Sequence, residues 1–259
     1  MNDLVYNNIY PAVRRRPRVY RRRPDMLMDT YTDNEIRERY RFNRPNVEYI
    51  CDLLHDDLAR ETNRNHALSV STIVQAGLRF FATNSFQQVI GDVVGIHRST
   101  CCKVVHEFSE AVCRHRAEFI SLPRNDNDRD LIKKGFYEMG GMPGVIGLID
   151  CTHAKIQCPS ENEADYVNRK GVHSINVQCV TDHLQRYIDV EARWPGSTHD
   201  SFILNNSRAK DFFENTLTST DKGIILGDSG YPIKKWLMTP YHAPNTPSQH
   251  EYNRVLPSN

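Results

Sequence analysis

A chain of 259 residues, 39% hydrophobic and 25% charged, can bury one large core or two small ones and has the make-up of an ordinary globular protein. No stretch approaches the roughly 20 apolar residues of a membrane span, and the N-terminus shows no secretory h-region, so a soluble protein of the nucleus and cytoplasm is expected. The formal net charge of +1 hides an asymmetry: residues 1–24 carry seven arginines against the single acid Asp3, a local charge of +6 that leaves −5 for the remainder.

A basic arm on a mildly acidic body suggests contact with nucleic acid or a nuclear-import signal, a solvated tail being the plain alternative. Residues 1–30, polar and punctuated by Pro11, Pro17 and Pro24, are expected to be disordered. Thr32-Asp-Asn-Glu35 has the pattern of a capping box, and residues 33–60 read as two short helices broken near Pro45. Val70, Ile73, Val74, Gly77, Leu78 and Phe81 then form one helical stripe. Phe86, Val89, Ile90 and Val93 form a second, with Ser85 as the expected N-cap. Gly95 breaks the chain, and a third stripe runs through Cys101, Val104, Val105, Phe108 and Val112, starting at Ser99 or Thr100. Two helices around a short Gly-containing turn predict a helix-turn-helix within an all-helical domain over 31–120. Its recognition helix would present Arg98, Ser99, Thr100 and Lys103 to phosphates and base edges. A helical bundle with a polar outer face has the same stripes.

Residues 121–143 read as a linker and a short helix near 129–139, because Ser121-Leu-Pro-Arg-Asn-Asp-Asn-Asp-Arg-Asp130 is polar and proline-marked. From Gly144 the periodicity changes to that of strands. The expected order is a strand over 144–156, a hairpin of strands 174–180 and 187–193 about a turn at 182–186, a helix containing Phe202, Ile203, Leu204, Phe212 and Phe213, and a strand at 223–228. A helical crossover before the last strand predicts that it runs parallel to an earlier one.

Two segments carry the chemistry. Gly144-Val-Ile-Gly-Leu-Ile-Asp150 and Gly223-Ile-Ile-Leu-Gly-Asp228 are apolar runs that each end on an aspartate, the way an α/β sheet presents a ligand site at its strand ends. The β-β-β-α-β order is that of the ribonuclease H fold, in which the fourth strand lies beside the first, so Asp150 and Asp228 are expected to meet. Two such carboxylates need a cation between them, and hard oxygen donors favour Mg²⁺ or Mn²⁺ over zinc. Cys151, His153 and Cys158 resemble a zinc set only superficially, since Cys151 and His153 lie on the strand face opposite Asp150 and no fourth ligand is evident. The odd count of seven cysteines without a CxxC pair predicts reduced thiols.

Pro143-Gly-Val-Ile-Gly-Leu-Ile-Asp-Cys-Thr-His, Tyr166-Val-Asn-Arg-Lys-Gly, Trp194-Pro-Gly-Ser-Thr-His-Asp and Leu226-Gly-Asp-Ser-Gly-Tyr-Pro resemble the DDE nuclease domain of the PIF/Harbinger transposases, with the likeness greatest to their domesticated, transposase-derived nucleases. Phe86-Gln-Gln-Val-Ile-Gly-Asp-Val-Val-Gly-Ile and Ser99-Thr100 resemble the family's helix-turn-helix region. The resemblance covers about residues 30–256. It implies a ribonuclease H-like nuclease over 144–259, DNA phosphodiester hydrolysis, DNA as substrate and a Myb/SANT-like partner protein. Asp150 and Asp228 would be catalytic, and Asp200 would join them in holding divalent metal, its plain alternative being a helix N-cap. Arg169 and Lys170 would steer phosphate.

The family's third acid is a glutamate on a helix beyond a Tyr-Asn pair, here Tyr252-Asn253. The chain stops at Asn259, Pro257 opposes a helix there, and Glu251 is expected to precede the helix. This reading makes the chain incomplete at its C-terminus, with weak or no cleavage. The alternatives are a non-catalytic DNA- or partner-binding protein on the same fold, or a His-Asp phosphohydrolase built on His199-Asp200 with His153, His173 and Asp228. The last is disfavoured by the strand patterns around those residues.

Overall fold

The computed structural model describes residues 30–62, 67–217, 222–241 and 243–255, so the arginine-rich arm lies outside the described residues apart from Thr30. The chain divides into two compact units at His115/Arg116.

The first unit consists of α1 (Asp33–Tyr40), α2 (Arg44–Leu53), α3 (His55–Leu58), α4 (Val70–Thr83), α5 (Gln87–Val94) and α6 (Arg98–Arg114). The capping box forms: Glu35 Oε2 accepts from Thr32 N at 2.9 Å, while Thr32 Oγ1 accepts from Glu35 N at 3.4 Å. Pro45 falls in the first turn of α2, where its missing N–H costs nothing, so the break sits at Arg41–Asn43 instead. Helices α4 and α6 approach closely because Gly77 has no side chain; a β-carbon there would lie 2.3 Å from the Phe108 ring. Ile73, Val74, Leu54, Val104 and Phe108 are buried in this core.

Two expectations for this unit are corrected. Phe86, rather than Ser85, is the N-cap of α5, with no side-chain capping bond, and His97 caps α6 by accepting the Ser99 amide on its Nδ1 at 3.2 Å. The buried face of α5 is Ile90, Gly91 and Val94, leaving Phe86 84% exposed and Val89 and Val93 exposed as well. Gly95 adopts φ 72°, the left-handed geometry that ends α5 and turns the chain toward α6.

The second unit holds α7 (Arg116–Phe119), α8 (Asp126–Gly140), β1 (Val145–Lys155), α9 (Glu163–Tyr166), β2 (Ser174–Thr181), β3 (Tyr187–Pro195), α10 (Asp200–Asn205), α11 (Arg208–Thr216), β4 (Ile224–Gly227), β5 (Leu237–Met238) and α12 (Pro247–Val255). The stretch read as linker and short helix contains α8, capped by Asn125, which packs Ile132 and Phe136 into the same core as β1 and β4. The single expected helix after β3 is two, because Ser207 starts a new one by accepting the Lys210 amide. β5 and α12 are additional elements, and Glu251 lies inside α12 rather than before a helix.

These strands form a five-stranded mixed sheet in the order β3-β2-β1-β4-β5. β1 is central, antiparallel to β2 and parallel to β4, the order expected from the helical crossover. Its first half, Val145–Ile149, is apolar and mostly buried; its second half is polar and more exposed. Among the described residues, no helix is long and apolar enough to cross a membrane. All seven cysteines are free.

Candidate metal centre

The parallel ladder between β1 and β4 ends at the pair Ile149↔Gly227. The next residue after each member of that pair is an aspartate, so Asp150 and Asp228 follow the last rung of the parallel β1–β4 ladder, at the end of a parallel pair where open α/β sheets bind ligands. There the two chains part: β1 continues to Lys155 paired only with β2, while the chain after Gly227 turns away through Asp228-Ser-Gly230. Asp228 Oδ1 accepts from the Gly230 amide at 3.0 Å, which holds that turn. Asp150 and Asp228 line a cleft of about 330 Å³ together with Leu148, Thr152, Cys179 and Tyr187.

Asp200 reaches the same place from the start of α10. A β-carbon on Gly230 would sit 3.1 Å from an oxygen of Asp200 and 3.1 Å from one of Asp228, so the bare glycine leaves these two carboxylates facing one another. Asp200 is not the helix N-cap. His199 fills that role, and Asp200 Oδ1 instead accepts from Asn176 Nδ2 at 2.9 Å. Asn176 also donates to Thr198 O at 2.9 Å, and its own Oδ1 is buried without a partner among the described residues.

The electrostatics are those of uncompensated negative charge. Desolvation pushes the Asp150 carboxyl above its ordinary value, and the charges of Asp228 and Asp200 add to the rise against the Cys151 amide, which lowers it. Cys151 hydrogen-bonds Tyr231 Oη through its sulfur at 3.1 Å, and burial, with nearby Asp200 and Asp150, drives its thiol well above the usual range. Burial likewise raises Tyr231. Both groups favour their neutral forms in this surrounding. The carboxylate oxygens of Asp150, Asp200 and Asp228 are hard donors of the kind Mg²⁺ or Mn²⁺ takes. The ligand atoms of the three carboxylates do not all lie within 4.8 Å of one another.

Arg169 and Lys170 stand exposed on a turn organised by Asn168, whose Oδ1 accepts the Lys170 and Val172 amides at 2.9 and 3.2 Å. The Asn168 Nδ2 donates to Ser174 Oγ at 3.0 Å, and Gly196 leaves room for that contact, since a β-carbon there would strike Ser174 Oγ at 2.3 Å. In the first unit, Arg98, Ser99 and Lys103 are exposed and Thr100 half-buried on the opening turns of α6. Sequence reasoning missed Asn176, Gly230 and Tyr231. The available signal was Asn176 and Gln178, two polar residues at alternate positions of a strand with apolar neighbours.

The family model described as DDE superfamily endonuclease matches residues 149–259. The chain is 37% identical over 226 residues to "Putative nuclease HARBI1" of Homo sapiens, covering 87% of this chain and 64% of that protein. It is 35% identical over 226 residues to the protein of the same name from Xenopus laevis, covering 87% and 65%. To "Protein ALP1-like" of Arabidopsis thaliana it is 30% identical over 234 residues, covering 83% and 57%. The chain thus spans less than two thirds of the length of these relatives. No solved structure matches.

Proposed function

We propose, from the premise that residues 149–259 belong to the DDE superfamily endonuclease family, that this chain carries the centre of a transposase-derived nuclease that hydrolyses DNA phosphodiester bonds. One observation carries the reading: the β1–β4 ladder stops one residue short of both Asp150 and Asp228, with Asp200 close behind. The surrounding unit is read as ribonuclease H-like. Asp150 and Asp228 would hold catalytic Mg²⁺ or Mn²⁺ and Asp200 would complete the set, because each offers hard oxygen and each gains from a neutralising charge. Bound there, divalent ions supply an activated water and a stabilised leaving 3′-oxygen.

The chain's own residues prepare the site. Asn176 fixes the Asp200 carboxylate, the Gly230 amide fixes that of Asp228, and the Cys151 amide donates to Asp150 Oδ1 at 2.7 Å. In the metal-free chain Cys151 and Tyr231 favour their neutral forms beside the acids. Arg169 and Lys170 would draw the DNA backbone toward the cleft.

The test is nicking of supercoiled plasmid by the full chain in Mg²⁺ or Mn²⁺. Slow, metal-dependent nicking that disappears in Asp150→Asn and Asp228→Asn is expected; nicking that survives both substitutions contradicts the assignment. A second reading, DNA binding without cleavage in a nuclear and cytoplasmic protein, is favoured by the exposed Arg98, Ser99 and Lys103 at the start of α6, read as a recognition helix. In the family's manner it would act with a Myb/SANT-like partner. Steeply salt-dependent binding with no cleavage in any divalent metal selects it.

A further inference from the structure

The segment joining β1 to β2 brings together a second group of metal-binding atoms, chemically unlike the aspartates. Cys158, Glu163 and His173 are separated by four and nine intervening residues, yet each offers a ligand atom within 4.8 Å of the other two. His173 Nε2 lies 2.9 Å from Glu163 Oε1, and the Cys158 thiol, which donates to Pro159 O at 3.5 Å, has its sulfur within 4.8 Å of the same carboxylate.

The backbone places these residues. Ile156 N donates to His173 O at 3.0 Å, which closes the base of the segment. His173 bridges to Val167 in an isolated antiparallel pair, and Ser197 N holds Asp165 O at 3.0 Å. Asn162 takes a left-handed conformation at φ 51°, which reverses the chain between Cys158 and Glu163 and brings the carboxylate back to the thiol.

We infer that Cys158, Glu163 and His173 form a zinc site, with water as the fourth ligand, bracing the segment that displays Arg169 and Lys170. The sulfur, nitrogen and oxygen donors are the three types zinc takes, and three protein ligands plus an open position is one of its regular geometries. Sulfur and imidazole exclude Mg²⁺ from competing here, just as carboxylates alone disfavour zinc at the aspartates, so softness of donor sorts the two metals between two sites in one unit. Binding is balanced by release of the Cys158 thiol proton: the sulfur binds as thiolate and His173 binds as neutral imidazole. An exposed Glu–His pair alone contributes little to holding such a segment. A metal clip between residues 158 and 173 would close it at both ends.

Co²⁺ is the direct probe because it takes zinc sites and reports its ligands. One equivalent added to the full chain after chelator treatment is expected to give a near-ultraviolet sulfur-to-cobalt band, with visible bands of a tetrahedral ion. Zn²⁺ should bleach both at one equivalent. Cys158→Ser should remove the sulfur band, and His173→Gln should weaken Zn²⁺ binding at least about tenfold, since even outer partners of ligands cost that much. Both side chains are at least partly exposed, so the variants should keep the parent circular dichroism. Asp150→Asn and Asp228→Asn should leave the band intact, which separates this site from the aspartate centre. A wild-type chain without the band, or a band that persists in Cys158→Ser, overturns the proposal.

Discussion

Asn176 donates its side-chain amide to Asp200 at 2.9 Å from the buried face of β2, fixing a carboxylate carried by a different element. Outer partners of metal ligands typically set affinity by 10–100-fold. Asn176→Ala should therefore weaken Mn²⁺ binding by about 10–100-fold while leaving the folded unit intact, as measured by calorimetric titration alongside circular dichroism. Unchanged affinity would mean that Asp200 is not a ligand.

Asp150 is raised by desolvation, then by its acidic neighbours, so without metal its charged form opposes folding. The folded chain holds this proton to higher pH than the unfolded chain. Asp150 therefore favours folding at low pH, and that contribution is lost as pH climbs through its folded value. Asp150→Asn should stabilise the metal-free chain at pH 7 and flatten this part of its pH–stability curve. Mn²⁺ at 100 times its dissociation constant should stabilise the wild type by about 2.7 kcal/mol and the variant far less, as read by thermal denaturation.

The β2–β3 turn gives the opposite sign. Burial of Asp182 would raise its carboxyl, but Arg186, through its side chain and amide, and the Leu184 amide outweigh that, and the net shift is downward. Such a group stabilises above its unfolded value of 3.8, and its contribution is lost as pH falls through the lower folded value. Asp182→Ala should cost about 2–3 kcal/mol at pH 7, in the range of hydrogen bonds to a charged group, and progressively less below pH 4 in urea titrations.

The first unit is tested at Gly77. A β-carbon there meets the Phe108 ring at 2.3 Å, so Gly77→Val must push α4 and α6 apart. Overpacking of this kind costs about 1–3 kcal/mol, which chemical denaturation would register as a lower midpoint. A neutral result would place the α4–α6 contact elsewhere.

The strands of the second unit were legible because Gly144–Asp150 and Gly223–Asp228 are apolar runs too short for helices, with their acids at the ends. The pairing followed from topology, since a helical crossover leaves β4 parallel to β1. What escaped notice was governed by tertiary contacts. In β2, Ser174, Asn176 and Gln178 face inward while Ile175, Val177 and Cys179 are half-exposed, the reverse of what hydrophobicity alone implies. The polar face is turned in partly because Asn176 serves Asp200 and Ser174 receives Asn168. Of the α5 stripe Phe86, Val89, Ile90 and Val93, only Ile90 faces the core, together with Val94, which the stripe left out. Periodicity finds a helix but cannot rank two apolar faces. The Cys158–Glu163–His173 group depends on the left-handed Asn162, which spacing does not reveal.

The decisive measurement is anomalous diffraction from crystals of the full chain grown in MnCl₂. The account predicts manganese density bounded by carboxylate oxygens of Asp150 and Asp228, with Asp200 contributing, and its disappearance in Asp150→Asn crystals. Manganese bound elsewhere with none between those two strand ends, or density unaltered by the substitution, would contradict it.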